Sequence, residues 1–363
     1  VVQDATMPRA ADLGIRIGLL PSGPTGSVLD VPGVGLGHAT VWRDEPEPPV
    51  GRGTARTGVT VLVPADGTYR RPVPCGGAVL NGAGECTGFL AAGEWGLLET
   101  PVFLTSTMQL GRVYDAACEI LMESEPGLGE DVVIPVVGEC DDSFLSESRR
   151  MQVTRADVEH AWAEATGSIG SLLPPAEGSV GSGTGMSCLG FKGGIGTASR
   201  LVGGHTVGVL LMTNFGERDQ LTVAGIPVGR LLGPSPAAPA PPAGSCIGVV
   251  VTDAPVDAAG CERLARRVGL GLARTGSTAQ HGSGEIFLAC ATGLRADRSG
   301  HLSGPPALAG RDLDPLFGAV VEATEEAVLN SMLASPTVVG RHGNTSQGLP
   351  PDLVARLVAQ SRT

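Results

Sequence analysis

Aromatic residues are scarce in this chain: seven Phe, three Trp and two Tyr among 363 residues. Charge is thin as well, 17% of residues against about 25% in an average protein. A core without large rings has to be built from Ala, Val and Leu, packed closely and turned often. No apolar run reaches the ~18 residues of a membrane span, so none is expected. A basic surface is missing too. The net charge of −12 argues against a nucleic-acid partner, because phosphate binding draws on Lys and Arg. The cysteines at 75, 86, 118, 140, 188, 246, 261 and 290 include no C-x-x-C pair and no His/Cys ligand spacing. Neither a disulfide framework nor a structural zinc site is expected, and buried thiols in a reducing compartment are the plain reading. The stretch from Val1 to Arg16 mixes charges and shows no signal-peptide core, so a cytoplasmic location is expected.

Familiar catalytic motifs are absent in the same way. No serine in the 178–196 region sits in a G-x-S-x-G elbow, and there is no H-E-x-x-H. Gly185 to Lys192 is only loosely like a phosphate loop, since Phe191 occupies the lysine position. The six histidines (38, 160, 205, 281, 301, 342) stand alone. An enzyme built on this chain works without an evident metal, cofactor or histidine triad.

What is present is glycine and proline, 55 and 28 residues, within a sequence that is 42% hydrophobic. That apolar content excludes disorder across the whole chain. The length suits two domains at ~150 residues each, or one large one. Gly58 to Pro64, Pro101 to Ser106 and Thr206 to Thr213 read as strands, β-branched and bounded by turn formers. Helices are expected over Arg112 to Met122, from Thr154 (capped by Asp157) to Gly167, over Ala258 to Thr275 ahead of Gly276, and over Pro315 to Leu333 and Pro351 to Gln360. The mixture lacks regular βαβ alternation, which favours a layered α+β fold over a doubly wound sheet.

One junction stands out. The run Pro234 to Gly244 is Pro/Ala-rich, and it should be extended and solvated. It leads at once into Ser245-Cys-Ile-Gly-Val-Val-Val-Thr252, apolar enough for a strand buried on both faces. Composition alone reads this as a linker between two domains. Chemistry offers a second reading, cleavage between Gly244 and Ser245 by attack of the serine hydroxyl on the preceding carbonyl. The freed Ser245 would then carry nucleophile and base together, because an α-amine titrates at ~7.7–8.0. Further on, His281-Gly-Ser283-Gly-Glu285 precedes another apolar run. Alternation puts Ser283 and Glu285 on one face, where they could orient that amine. On spacing alone the same residues read as a glycine turn entering a strand.

At these residues the chain resembles the self-processing aminopeptidases that include the L-aminopeptidase/D-amidase/esterase and the β-peptidyl aminopeptidases. The likeness spans nearly the whole sequence: Asp30 to His38, Thr57 to Thr60, Asn81 to Gly88, Gly96 to Pro101, Gly181 to Met186, Phe191 to Arg200, Thr252 to Pro255 and Gly271 to Gly276. It implies a four-layer αββα sandwich like that of the N-terminal nucleophile hydrolases. It also implies a single catalytic domain, 1–363, processed into 1–244 and 245–363.

Carried over residue by residue, the resemblance makes Gly244 and Ser245 the cleavage site, with Ser245 the nucleophile and Ser283 and Glu285 its supporting pair. Asn214 becomes the oxyanion donor and Glu139 the carboxylate that receives a substrate amine. Cys246 is the rival nucleophile, but only Ser245 keeps the family's spacing to Ser283 and Glu285. One departure is Asp141, where the family's aminopeptidases usually carry tyrosine; another is Cys86, where an apolar residue is common. An altered site suggests an altered substrate, and one branch of the family cleaves pantetheine in carbapenem antibiotic assembly. Asp141 and Asp142 could also bind an amine in a shifted geometry. The expectation is therefore a self-cleaving amidohydrolase of small amides or peptides, or of pantetheine, with no metal or cofactor. An acyltransferase of the same fold is the alternative, and a homo-oligomer of cut protomers is implied.

Overall fold

The computed structural model describes residues 7–233 and 244–361, so most of the Pro/Ala run (234–243) lies outside the described residues. Two sheets carry the architecture. The first contains β1 (Gly35–Asp44), β2 (Thr54–Val63), β4 (Cys86–Thr87), β6 (Val102–Ser106) and β7 (Val136–Cys140), in the order β1-β2-β6-β7-β4. The second contains β3 (Val73–Gly82), β5 (Leu97–Leu98), β10 (Gly194–Val202), β11 (His205–Asn214), β12 (Ser245–Thr252) and β13 (Gly284–Ala291), ordered β10-β11-β12-β13-β3-β5. Between them in the chain lies a short hairpin, β8 (Ser187–Cys188) and β9 (Phe191–Lys192). Each large sheet has one parallel pair, β6 with β7 and β12 with β13, and its other neighbours run antiparallel.

Residue alternation along the strands builds three apolar layers. Leu36, Leu62, Leu104 and Val136 of the first sheet meet Leu210, Met212, Ile247, Val249 and Leu288 of the second, forming the core between the sheets. On the outer face of the first sheet, Val59, Val61 and Phe103 pack on Val113 and Ala117 of α2 (Leu110–Ser124) and on Val158, Ala161 and Ala165 of α3 (Arg155–Gly167). Beyond the second sheet, Val209, Val250 and Phe287 pack on α5 (Ala258–Arg274) and α6 (Asp314–Leu333), with α7 (Pro351–Gln360) at the margin. The order of layers is αββα. The remaining helices, α1 (Phe89–Trp95) and α4 (Val228–Leu231), are short.

The glycine content has a mechanical use in these layers. A Cβ on Gly196 of β10 would fall 1.9 Å from the Ala327 carbonyl oxygen of α6. Helix backbone therefore rests directly on strand backbone, and bulky side chains would hold the layers apart. The expected helices and strands appear within a few residues of their sequence bounds. One end differs in kind. Gly167 does not terminate α3 in a left-handed turn; Ser168 closes it, with its N–H on Glu164 O at 3.0 Å and its hydroxyl on Ala165 O at 2.8 Å. A hydroxyl that reaches back to the last free carbonyls makes the left-handed cap unnecessary. Among the described residues no helix is long and apolar enough to cross a membrane.

Candidate active site

Every residue of β12 is buried, as its apolar composition implies. Its first residue, Ser245, pairs with Asn214 at the end of β11 on one side and with Gly284 at the start of β13 on the other. Cys246 belongs to the core on the helix side of the sheet and Ile247 to the core between the sheets. Alternation thus turns Ser245 toward the space between the sheets and Cys246 away from it. Burial holds the Cys246 thiol well above its ordinary pKa, so it is a packed strand residue and a poor nucleophile.

The Gly284 N–H donates to the Gly244 carbonyl oxygen at 3.2 Å. Ser283 therefore lies level with the Gly244–Ser245 peptide. Its hydroxyl donates to Glu285 Oε1 at 2.5 Å, so the expected Ser283–Glu285 pair does form. Glu285 is wholly buried, and its Oε2 has no hydrogen-bond partner. Desolvation pushes its pKa up to about 7, against the pull of the Ser283 hydroxyl. The turn before β13 is pinned from β3, where Asn81 Nδ2 donates to the carbonyls of Gln280 (2.9 Å) and Ser283 (2.5 Å).

Across the sandwich, Glu139 ends up in the same neighbourhood. It is buried near the end of β7 and takes the Glu85 N–H on Oε1 at 2.8 Å and the Thr107 hydroxyl on Oε2. Burial raises its pKa despite these two donors. Gly84 connects it to the start of β13, beside Ser245: a Cβ there would lie 3.2 Å from Glu139 Oε1 and 3.7 Å from Gly284 Cα. Asn214 Nδ2 donates to the Asp141 backbone oxygen at 2.8 Å, and Asn214 Oδ1 accepts the Ser187 N–H at 2.8 Å. One of the two Nδ2 hydrogens thereby remains for another acceptor. The Asp141 carboxylate is turned to its own loop, where it accepts from the Ser143 N–H at 2.9 Å and the Ser143 hydroxyl at 2.8 Å. Asp142 is buried, and desolvation pushes it up to about 7 against the nearby Thr57 and Ser106 hydroxyls.

Strand ends from both sheets thus bring Ser245, Ser283, Glu285, Asn214 and Glu139 to one end of the sandwich, while Asp141 enters through its backbone. Sequence reasoning missed the contacts made by Gly284 and Thr107. The first is a main-chain group and carries no residue-type signal. Lys192 lies in the motif that resembles the family most strongly, but only the fold reveals that its amine is buried. Among the described residues no group of three His, Cys, Asp or Glu side chains could hold a metal ion.

The four-layer αββα sandwich is the architecture of the N-terminal nucleophile hydrolase fold, and comparison with known proteins agrees. The model of peptidase family S58 matches residues 26–346. The chain is 38% identical to a beta-peptidyl aminopeptidase of Sphingosinicella xenopeptidilytica, over 97% of this chain and 91% of the other. Among solved structures, a beta-aminopeptidase from a Burkholderia species superposes with a TM-score of 0.86 at 40% identity, covering 98% of each chain. The L-aminopeptidase D-Ala-esterase/amidase of Ochrobactrum anthropi, described as a variant of the Ntn hydrolase fold, gives 0.88 at 33% identity, covering 98% of this chain and 99% of that one. The chain belongs to peptidase family S58 and is a hydrolase of amide bonds.

Proposed function

We propose that the chain activates itself by cleavage between Gly244 and Ser245, giving pieces 1–244 and 245–363 that remain one catalytic domain, and that Ser245 then hydrolyses small amides with a free amine. The observation that carries this is the start of β12, where Ser245 lies between Asn214 and Gly284 with the Ser283–Glu285 pair level with the bond to be cut. In the first step Ser245 Oγ attacks the Gly244 carbonyl carbon, and the Gly284 N–H faces the oxygen on which charge develops. The C–N bond breaks, the hydroxyl proton passes to the Ser245 nitrogen, and an ester results. Water then releases the Gly244 carboxylate and restores the hydroxyl.

In turnover the freed α-amine takes the Ser245 hydroxyl proton, Oγ attacks the substrate carbonyl, and the same proton goes to the departing amine. In this reading Asn214 Nδ2 donates its spare hydrogen to the tetrahedral oxyanion, a contact worth ~2.7–4 kcal/mol in such sites. The Ser283 hydroxyl orients the α-amine, and Glu285 fixes the hydroxyl. Water attacks the acyl-enzyme to complete the cycle.

Glu139 is the group we assign to the substrate's ammonium, since its Oε1 borders Gly84 and, through it, Gly284. Asp141, occupied by Ser143, is a weaker candidate. Amino-acid and β-amino-acid amides or short peptides are thus favoured over pantetheine, whose β-alanyl amide offers no free amine. A homo-oligomer of cut protomers in the cytoplasm completes the proposal.

Denaturing intact-mass measurement tests the first step: the parent protein yields two pieces meeting at Ser245, and Ser245→Ala a single inactive chain. A cut or active Ser245→Ala protein overturns the assignment. Turnover of L-alanyl amide, β-alanyl amide and pantetheine, with N-acetylated controls, identifies the substrate class. Adding an acceptor amine separates hydrolysis from acyl transfer, which would give the transfer product in excess.

A further inference from the structure

Lys192 is wholly buried in β9, and the reaction above gives it no part. Its ammonium faces three backbone carbonyls: Gly183 O at 3.1 Å, Met186 O at 2.6 Å and Gly193 O at 2.8 Å. Burial pulls its pKa down to about 7, and three N–H donors meeting three acceptors satisfy the protonated form. The shortest of these bonds falls on a peptide unit with a second task. At the other end of the Met186–Ser187 peptide, the Ser187 N–H holds Asn214 Oδ1 at 2.8 Å. The far side of the Asn214 amide, Nδ2, donates to Asp141 O and keeps one hydrogen in reserve.

We propose that Lys192 is a positioning residue for the oxyanion donor, acting through the Met186–Ser187 peptide to orient and polarise the Asn214 amide. The proposal rests on Asn214 being that donor, as assigned above. Two physical effects support it. The Lys192 N–H on the Met186 oxygen, most of all when the amine is protonated, makes the Ser187 N–H a stronger donor, and hydrogen bonds in such a chain strengthen one another by ~10–30% per link. Orientation is the second. With Oδ1 held by a donor and Nδ2 by an acceptor, a flipped Asn214 amide would set N–H against N–H and oxygen against oxygen. Without the lysine, the Met186 oxygen keeps only the Gly193 N–H at 3.1 Å. The peptide that holds Asn214 is then free to tilt.

A double-mutant cycle separates this role from a purely structural one. Lys192→Met, Asn214→Ala and the double variant are compared as matured, active-site-counted protein on L-alanyl or β-alanyl p-nitroanilide. Lys192→Met is expected to lower kcat about ten- to a hundred-fold, less than the ~10²–10³ of a lost donor, with little change in KM. In the Asn214→Ala background it should have no further effect on kcat. An equal loss in both backgrounds, or an unchanged kcat in Lys192→Met, overturns the proposal. Parent-like kcat in Asn214→Ala instead overturns the assignment of Asn214 on which it rests. If Lys192→Met does not fold, Lys192→Gln, which keeps N–H donors without the charge, carries the same cycle. If Asn214→Ala blocks maturation, the infrared carbonyl stretch of the acyl-enzyme from a ¹³C-labelled ester decides. It rises in the lysine variant when the oxyanion donor has weakened, and it stays put when Lys192 is only structural.

Discussion

Adding a single methyl group at Gly244 tests the self-cleavage step at the atom where it would occur. An alanine Cβ there would fall 1.4 Å from the Asn214 carbonyl oxygen, 2.5 Å from its carbon and 3.1 Å from Phe215 Cα. Real Cβ contacts do not close below 3.0 Å, so the Gly244–Ser245 peptide has to shift by about 1.6 Å against backbone that cannot swing aside. A shift of that size breaks the 3.2 Å hydrogen bond from the Gly284 N–H to the Gly244 oxygen. Losing one oxyanion donor costs about 10²–10³ in rate, and misplacing the attacked carbonyl adds to this. Gly244→Ala is therefore expected to accumulate as an uncut chain and to mature at least about a hundred times more slowly than the parent. Denaturing mass spectrometry on samples taken over time reads the rate. Because the alanine leaves at the end of the upstream piece, whatever does mature should turn over at the parent's kcat per titrated site. Maturation at the parental rate would refute the reasoning, since it would mean that the carbonyl need not rest on Gly284.

Glu139→Gln should raise KM for substrates with a free amine about ten-fold or more, the scale of a lost charge-assisted contact, and leave N-acetylated esters unaffected; steady-state kinetics on both kinds checks this. Because burial raises the Glu139 pKa, amine binding in the parent should fail on acidification above the ordinary carboxylate range, and the N-acetylated controls should lack that limb. Glu285→Gln, made in the uncut Ser245→Ala chain, probes linkage. Native Glu285 keeps its proton up to about 7, while the unfolded chain releases it near 4.5, the ordinary range of a glutamate. Its raised pKa stabilises the fold below about 4.5, and that contribution is lost as pH climbs to about 7. Relative to Ser245→Ala alone, the double variant should thus gain up to about 3 kcal/mol between pH 4.5 and pH 8 in urea denaturation. An identical pH slope in both proteins would refute the shift.

Much of this molecule was legible in its residues. The apolar, β-branched runs Thr206 to Thr213 and Ser245 to Thr252 announced strands, the second buried on both faces, and Thr154 with Asp157 announced the start of α3, because these are local properties of the chain. Scarce aromatics and abundant glycine foretold close layers, as the contact of Gly196 with α6 illustrates. The motifs around Ser245, Ser283, Glu285, Asn214 and Glu139 pointed to a family, and the family match agrees with them.

Only the tertiary structure decided where those side chains lie and what they touch. Asp141 and Glu139 stand two residues apart, yet one carboxylate is bound by Ser143 and the other lies next to Gly84 at the start of β13. Cys246 lies in the helix-side core because strand alternation inside a buried sheet turns it there. Lys192, unremarkable among glycines, became a caged amine linked to Asn214 through one peptide unit. Hydrogen bonds to backbone groups and the desolvation of charged side chains depend on which strands meet, and those meetings span most of the chain. The sequence alone determined the elements, the family and the reactive residue types; long-range packing decided which atoms face one another.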